Sequence, residues 1–251
     1  MSQKIKVGII GGSGLNDPHL LHNEQIIDMD TPYGKPSSGL SIGQIQDVDV
    51  VILARHGKQH QYSPTQVNYR ANIHALKMMN VTHIIATTAC GSLKEDIAPG
   101  HFVIIDQFID FTKHRKMTFF ESFEKGIVHT SMADPFDPSL RKMLYETTKE
   151  LGYPVHPIGT VVTIEGPRFS TRAESKMFRL WGADIINMSI ATEAMLAKET
   201  EIPYAAIAMS TDYDCWKEHE TAVTWQEILD VFHRNAENVK KILVQVISKF
   251  K

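Results

Sequence analysis

Two aspartates near residue 210 are spaced so that they could act together on one ligand. The apolar residues 202–209 are typical of a buried strand, and the stretch STDYD follows at residues 210–214. If the backbone stays extended, Asp212 and Asp214 point to the same side, because side chains alternate along a strand. Such a pair has three possible explanations: a solvated turn, a metal site, or recognition of a ligand's N–H groups with protonation of a leaving group.

Groups that could hold an anion follow three other apolar runs. A glycine-rich turn around Ser13 offers N–H groups and a hydroxyl, but it lacks the third glycine of dinucleotide-binding turns and the lysine of P-loops. Arg55 and His56 end a second run, where a guanidinium fork can bind two phosphate oxygens. Thr88 and the N–H of Ala89 end a third. For each motif taken alone, a tight turn or a surface salt bridge is the alternative. Taken together, the three motifs favour a ligand site, because the carboxyl ends of parallel strands meet at the edge of the sheet where such folds bind ligands.

Short apolar runs alternate with helical patterns, as in an α/β protein with a mixed, mostly parallel twisted sheet. The predicted strands lie at residues 7–10, 48–53, 83–86, 102–105, 161–164, 184–186 and 204–209. The predicted helices span residues 67–79, 138–151, 171–181, 192–199 and 224–250. Neither an internal repeat nor a flexible linker divides the sequence, which favours a single three-layer α/β/α domain over residues 1–251.

Composition argues against several classes of function. The chain has 251 residues and a formal net charge of -3, so it offers no basic field for nucleic acid or an anionic membrane. The sequence has no apolar segment of signal-peptide or membrane-spanning length, and we expect a cytoplasmic protein with no nucleic-acid or membrane partner. Its two cysteines and its scattered histidines lack metal-ligand spacing, and we predict no metal.

Six short motifs occur along the chain in the order of a known family. They are Gly11-Gly12-Ser13-Gly14, Arg55-His56-Gly57, Thr87-Thr88-Ala89-Cys90-Gly91-Ser92, Thr163-Ile164-Glu165-Gly166-Pro167-Arg168-Phe169-Ser170, Asn187-Met188-Ser189 and Ser210-Thr211-Asp212-Tyr213-Asp214. The set resembles the trimeric purine nucleoside phosphorylases, and most closely their methylthioadenosine-cleaving branch, over nearly the whole chain. The resemblance implies the nucleoside phosphorylase fold, a homotrimer, and no cofactor. It also implies that inorganic phosphate, as co-substrate, attacks C1' of a purine nucleoside.

The resemblance also implies roles for individual residues in binding both substrates. The implied phosphate ligands are Ser13, Arg55, His56, Thr88, Ala89 and Ser189. Ser189 stands where threonine is usual, so a hydroxyl remains. Met188 would pack beside the ribose and Phe169 would face the base. Tyr213 belongs to the same substrate-binding set.

Asp212 and Asp214 are the implied catalytic residues. Cleavage of the C–N bond leaves negative charge on the purine, so a proton donor at N7 stabilises the transition state. We assign this role to Asp212, and we assign Asp214 to the region of the 6-amino group. Members that act on 6-oxopurines carry asparagine in place of Asp212 and glutamate in place of Ser170. Because a 6-amino group donates where a 6-oxo group accepts, the carboxylates favour adenine.

The pocket for the 5' substituent departs from the family pattern. Trp225 stands where a smaller aliphatic residue is expected beside Ile228 and Leu229. His129 is expected near the 5' end of a nucleoside bound in a neighbouring subunit. The sequence ends at Lys251, short of a segment with which some relatives close a neighbour's pocket. Trp225 could replace that wall, or it could reshape the pocket toward adenosine or methylthioinosine, and both interpretations stay open.

Two other classes of function fit parts of the sequence. A non-catalytic nucleoside-binding protein would not need both phosphate ligands and a group at N7. A nicotinamide-dependent oxidoreductase could use the glycine-rich turn, but the third glycine and a clear acidic residue after the second strand are missing. We therefore expect phosphorolysis of 5'-methylthioadenosine, with adenosine, methylthioinosine and 6-oxopurine nucleosides as the alternative substrates.

Overall fold

The computed structural model describes residues 4–11, 20–124, 126–217 and 225–250. Within these ranges the backbone forms five helices and one mixed sheet of eleven strands. The strands are β1 (Lys6–Gly11), β2 (His22–Ile27), β3 (Leu40–Ile45), β4 (Val48–Ala54), β5 (His83–Ser92), β6 (Phe102–Ile104), β7 (Gln107–Phe111), β8 (Val155–His156), β9 (Thr160–Ile164), β10 (Ile185–Asn187) and β11 (Tyr204–Tyr213). The helices are α1 (Tyr69–Met78), α2 (Pro138–Glu150), α3 (Arg172–Leu180), α4 (Ile190–Glu199) and α5 (Trp225–Ile247). The predicted α/β class with a mixed sheet is confirmed.

The sheet branches at β5. One path runs β2-β3-β4-β1-β5-β10-β9-β7, and a second runs from β5 through β11 and β6 to β8. The central pairs β1–β4, β1–β5 and β5–β11 are parallel. The carboxyl ends of β1, β4, β5 and β11 therefore lie side by side, and the residues at those ends come together at one edge of the sheet.

Side-chain alternation along the central strands divides the core into two apolar layers. On β11, Tyr204 and Ala206 pack in one cluster with residues of α1 and α4. Their neighbours Ala205 and Ile207 pack in another cluster with residues of α2 and α5. Helices thus cover both faces of the sheet, which explains why β11 reads as a continuous apolar run rather than an alternating one.

Local capping signals set the starts of several helices. The side chain of Asn68 caps α1, that of Asp137 caps α2, and Thr171 forms a capping box with Glu174 at α3. All three helices lie within the predicted ranges, whereas α4 begins at Ile190 rather than at residue 192. Among the described residues, no helix combines the length and apolar character needed to cross a bilayer.

The sequence patterns miss some strands and shorten others. They do not predict β2, β3, β7 or β8; β2 is almost fully exposed and polar, and β8 has only 2 residues. Such strands lack the apolar runs on which the prediction depends. The patterns also end β5 and β11 too early, because each strand continues through hydroxyl and acidic residues. As a consequence, Thr88, Ala89 and Asp212 lie within strands rather than in the turns that follow them.

Candidate active site

A cavity of about 650 Å³ opens where β4, β5, β10 and β11 end. Its volume is within the range of small-molecule sites, roughly 300–1,000 Å³. The structure brings together residues from all four strand ends. Those singled out in the sequence that line the cavity are Arg55, His56, Thr88, Ala89, Phe169, Ser170, Met188, Ser189, Asp212 and Asp214.

Arg55 is almost completely buried, and the protein uses most of its hydrogen-bonding capacity. Its guanidinium donates to both carboxylate oxygens of Glu193, and Nη1 donates to the Thr87 carbonyl at 2.9 Å. Glu193 also accepts from the Tyr204 hydroxyl at 2.9 Å. Burial alone would lower the pKa of Arg55, but the Glu193 carboxylate raises this pKa above its ordinary value. Three of the five N–H groups are thus used, and two remain for a ligand.

His56 presents an acceptor to the cavity rather than the donor that we expected for phosphate. Its Nδ1 lies 2.9 Å from the Tyr62 carbonyl oxygen. Because a carbonyl only accepts, Nδ1 carries the proton, and Nε2 of the neutral ring carries a lone pair. The ring also stacks on that of His60, with centroids 4.6 Å apart. Burial, followed by the charge of Arg55, lowers the pKa of His56 to about 4, so the ring is neutral at pH 7.

The other predicted phosphate ligands are small polar groups. The Thr88 hydroxyl donates to the Ala89 carbonyl at 2.9 Å and accepts from the Asn187 amide at 3.4 Å. Ser189 is the N-cap of α4, and its side chain makes no capping hydrogen bond. Its hydroxyl can therefore meet an anion at a helix N-terminus, where the backbone dipole favours negative charge. Ser13 lies outside the described residues.

A β-bulge helps to aim the two aspartates at the cavity. The register of β11 against β5 shifts between Ser210 and Asp212, and Asp212 pairs with Gly91. A Cβ at Gly91 would lie 3.1 Å from Cγ2 of Ile186 and 3.4 Å, an ordinary contact distance, from Oδ2 of Asp212. The Thr211 hydroxyl donates to the other oxygen of Asp212 at 2.7 Å. Asp212 and Asp214 both line the cavity, two residues apart.

Ser170 orients Asp214. Its hydroxyl lies 2.9 and 2.7 Å from the two carboxylate oxygens of Asp214, whose exposed fraction is 8%. The hydroxyl can donate only one proton, so the carboxylate keeps acceptor capacity for N–H groups of a ligand. A glutamate at position 170 would instead put a second carboxylate beside Asp214. The serine and the aspartate therefore suit each other.

The predicted substrate-binding residues are divided between the cavity and its surroundings. Phe169 is 49% exposed and Met188 is half-buried, and both line the cavity. Tyr213 does not line it, because alternation along β11 turns its ring away from the neighbouring aspartates. The Tyr213 hydroxyl donates to the Glu95 carbonyl at 3.0 Å, and the Lys217 ammonium lies 3.6 Å from its ring centroid.

Arg115, which the sequence patterns do not mark, joins two segments of the cavity wall. Its Nε donates to the Glu165 carboxylate at 2.8 Å, and Nη2 donates to the carbonyls of Glu165 and Met188 at 2.6 and 3.1 Å. Burial alone would raise the pKa of Glu165, but hydrogen bonds from the Lys113 N–H and from Arg115 lower this pKa to about 2. Glu165 therefore has a structural role, and Arg115 fixes the main chain of Met188.

Of the residues predicted for the 5' pocket, His129 has a described side chain, and it does not line this cavity. His129 is exposed, and its ring packs edge-on against Phe123 with centroids 5.5 Å apart. The side chains of Trp225, Ile228 and Leu229 lie outside the described residues. In the part of the chain that the structure describes, no three His, Cys, Asp or Glu side chains are grouped so that they could hold a metal ion.

The cavity combines two chemistries. Arg55 and Ser189 offer donors that suit an oxyanion, whereas the carboxyl groups of Asp212 and Asp214 can exchange hydrogen bonds with the nitrogens and N–H groups of a heterocycle. Bringing an anionic nucleophile and such a heterocycle together in one site lowers the entropic cost of their reaction. The arrangement therefore suits attack by an anion on a carbon that carries a nitrogen heterocycle.

Comparisons with known proteins identify the family to which the chain is similar. The family model described as the phosphorylase superfamily matches residues 6–248. The S-methyl-5'-thioadenosine phosphorylase of Xenopus tropicalis is 55% identical, over 97% of this chain and 88% of its own. The protein of that name from Danio rerio is 54% identical over the same shares. The one from Nitrosopumilus maritimus is 47% identical over 99% of this chain and 93% of its own.

Solved structures resemble the chain over nearly its whole length. The methylthioadenosine phosphorylase of Schistosoma mansoni in complex with adenine has a TM-score of 0.92 and 42% identity, covering 98% of this chain and 91% of that one. A mutant of the adenosine/methylthioadenosine phosphorylase of the same organism, in complex with methylthioadenosine, has a TM-score of 0.91 with the same identity and coverage.

Proposed function

This chain belongs to the phosphorylase superfamily, and we propose that it cleaves 5'-methylthioadenosine with inorganic phosphate. The products are adenine and 5-methylthioribose 1-phosphate, so the enzyme is a pentosyltransferase whose co-substrate is phosphate. The observation that carries this proposal is the cavity itself, where the buried Arg55 and the carboxylates of Asp212 and Asp214 meet. The chain around it is 55% identical to a relative named for this activity.

The reaction follows from where charge develops. Phosphate, held by Arg55, Thr88 and Ser189, attacks C1' while the C–N bond breaks. The sugar then carries positive charge and the purine negative charge, so groups that match both charges lower the barrier. Phosphate oxygens stabilise the sugar. Asp212, in its protonated form, donates to purine N7, a contribution of about 10²- to 10⁴-fold in rate.

Asp214 supplies the preference for adenine. A 6-amino group donates two N–H bonds, and a carboxylate held by the Ser170 hydroxyl still has lone pairs to accept them. A 6-oxo group would place a lone pair against the same oxygens, which costs affinity because neither side can donate. The pair of Ser170 and Asp214 thus favours 6-aminopurines over 6-oxopurines.

Adenosine is the second candidate substrate. The structural relative from Schistosoma mansoni is named as an adenosine/methylthioadenosine phosphorylase. Trp225 occupies the sequence position expected at the 5' pocket, where a change of shape would alter the choice between a 5'-hydroxyl and a 5'-methylthio group. We propose that Trp225, Ile228 and Leu229 form this pocket, and that Ser13 completes the phosphate site.

We also propose a homotrimer in which His129 reaches the 5' end of a nucleoside in the neighbouring subunit. Exposed apolar side chains near His129 support this, since Phe123 is 48% and Ile127 is 76% exposed in the single chain. The expected setting is a single-domain, cytoplasmic enzyme of methylthioadenosine salvage. Light scattering of the purified protein tests the trimer, and a monomer at working concentration would contradict it.

The experiment that tests the function is release of base from four nucleosides with and without phosphate. We expect methylthioadenosine to exceed adenosine, methylthioinosine and inosine in kcat/KM by tenfold or more, about 1.4 kcal/mol of transition-state binding. Equal rates with adenosine would support the second candidate. A lead for inosine or methylthioinosine would contradict the roles of Asp212 and Asp214. Cleavage that continues without phosphate would contradict phosphorolysis.

A further inference from the structure

The phosphate-binding part of the cavity carries little net positive charge. Arg55 is the one arginine or lysine among the described residues that line the cavity, and Glu193 neutralises it through two hydrogen bonds. The carboxyl groups of Asp212 and Asp214 line the same cavity and add no positive charge to it. A phosphate dianion therefore meets no surplus of positive charge, and an added proton would reduce the charge that it must bring in.

His56 offers a place for that proton. Its Nδ1–H is committed to the Tyr62 carbonyl at 2.9 Å, so Nε2 is the ring atom left for a ligand, and in the neutral ring it can only accept. A fully deprotonated phosphate oxygen facing Nε2 would place lone pair against lone pair. A phosphate oxygen that carries a hydrogen can donate to Nε2 instead.

We propose that phosphate binds together with one proton, which is shared between a phosphate oxygen and Nε2 of His56. This rests on the proposed function, because it concerns the phosphate of that reaction. The proton comes from the phosphate monoanion below the second ionisation of phosphate, and from solvent above it. His56 is then the residue that distinguishes phosphate, which can carry a hydrogen at neutral pH, from sulfate, which carries none.

The charged and titratable groups around His56 favour a neutral ring before phosphate binds. The positive charges of Arg55 and Arg115 both oppose protonation of the ring, as does the stacked ring of His60. The carbonyl of Tyr62 fixes the tautomer without adding charge. Across the cavity, Asp212 and Asp214 are committed to hydrogen bonds from Thr211 and Ser170. A bound phosphate changes this balance because its negative charge favours a proton between itself and Nε2.

Calorimetry of phosphate binding in two buffers of different ionisation enthalpy counts the protons taken up. The protein is saturated with adenine and titrated with phosphate at pH 8 and pH 6. We expect uptake of about one proton at pH 8, where free phosphate is mostly dianionic, and close to none at pH 6, where it is mostly monoanionic. Sulfate at pH 8 should bind at least tenfold more weakly than phosphate.

Two variants assign the proton to its site. His56→Gln can donate an amide N–H to the dianion, so its proton uptake at pH 8 should disappear. His83→Gln is the matched control, because burial also lowers the pKa of His83 but its ring packs on Phe250 and does not line the cavity. Binding to the wild type at pH 8 without proton uptake, uptake that persists in His56→Gln, or sulfate binding as tightly as phosphate would overturn the inference. Absence of phosphate binding at both pH values would contradict the proposed function itself.

Discussion

Replacing Glu193 by glutamine tests whether this carboxylate holds Arg55 ready for phosphate. The carboxylate is 1% exposed and accepts from two nitrogens of Arg55 and from the Tyr204 hydroxyl. Glutamine keeps the shape and one acceptor oxygen. It removes the negative charge and turns one acceptor into a donor that faces the guanidinium. Arg55, which remains charged, would then be a buried cation without a counter-ion.

The magnitude of this effect follows from the burial of the pair. Removing one partner of a buried ion pair costs about 3–5 kcal/mol, and the oxygen that glutamine retains places the expected loss near the lower end, at about 3 kcal/mol. For a chain of 251 residues, this corresponds to a fall in Tm of roughly 6–12 °C. Phosphate should restore more stability to the variant than to the wild type, because its oxygens replace the lost negative charge beside Arg55.

Thermal unfolding of Glu193→Gln, with and without phosphate, measures both effects. Glu150→Gln is the matched control, since Glu150 pairs with Lys249 at 2.6 Å on the surface and is 61% exposed. An exposed pair contributes only about 0–1 kcal/mol, so the control should melt close to the wild type. If Glu193→Gln melts at the wild-type temperature, or if phosphate stabilises the two proteins equally, then Glu193 does not hold the charge of Arg55.

Two further predictions concern the aspartate at N7 and the carboxylate that Arg115 holds. Asp212→Asn should lower kcat/KM for methylthioadenosine by about 10²- to 10⁴-fold and lower that for inosine less, whereas equal losses would remove Asp212 from purine recognition. Hydrogen bonds lower the pKa of Glu165 from 4.5 to about 2, so the stability it adds is present above pH 4.5 and is lost as the pH falls toward 2. The free energy of unfolding of the wild type should therefore fall more steeply between pH 5 and 2 than that of Glu165→Gln. Parallel curves would show that Glu165 adds no stability.

Local patterns predicted most of the central fold, because buried strands and amphipathic helices leave periodic signals in the sequence. The runs that became β1, β4 and β11 lie where their apolar residues place them. Strands at the edges of the sheet were not predicted, because they lack such signals. β2 is almost fully exposed and polar, and its place depends on pairing with β3 rather than on its own composition.

Candidate site residues could be found in the sequence where they stand at the ends of apolar runs. Arg55 and Asp212 were singled out in this way, and the structure brings both to one cavity. The long-range contacts that hold the site together could not be predicted. Glu193 lies 138 residues from Arg55 along the chain, and Arg115 lies 73 residues from Met188. No local spacing connects such residues, because their contacts exist only when the sheet and helices have packed.

The sequence by itself determined the central strands, the helices, and the donors and acceptors available for chemistry, because these depend on residue type and on spacing over a few positions. The tertiary structure decided how those groups are used. It committed Arg55 to Glu193, fixed the tautomer of His56 through the Tyr62 carbonyl, and turned Tyr213 away from the cavity. Charge, protonation and direction depend on neighbours brought from distant parts of the chain, and only packing supplies those neighbours.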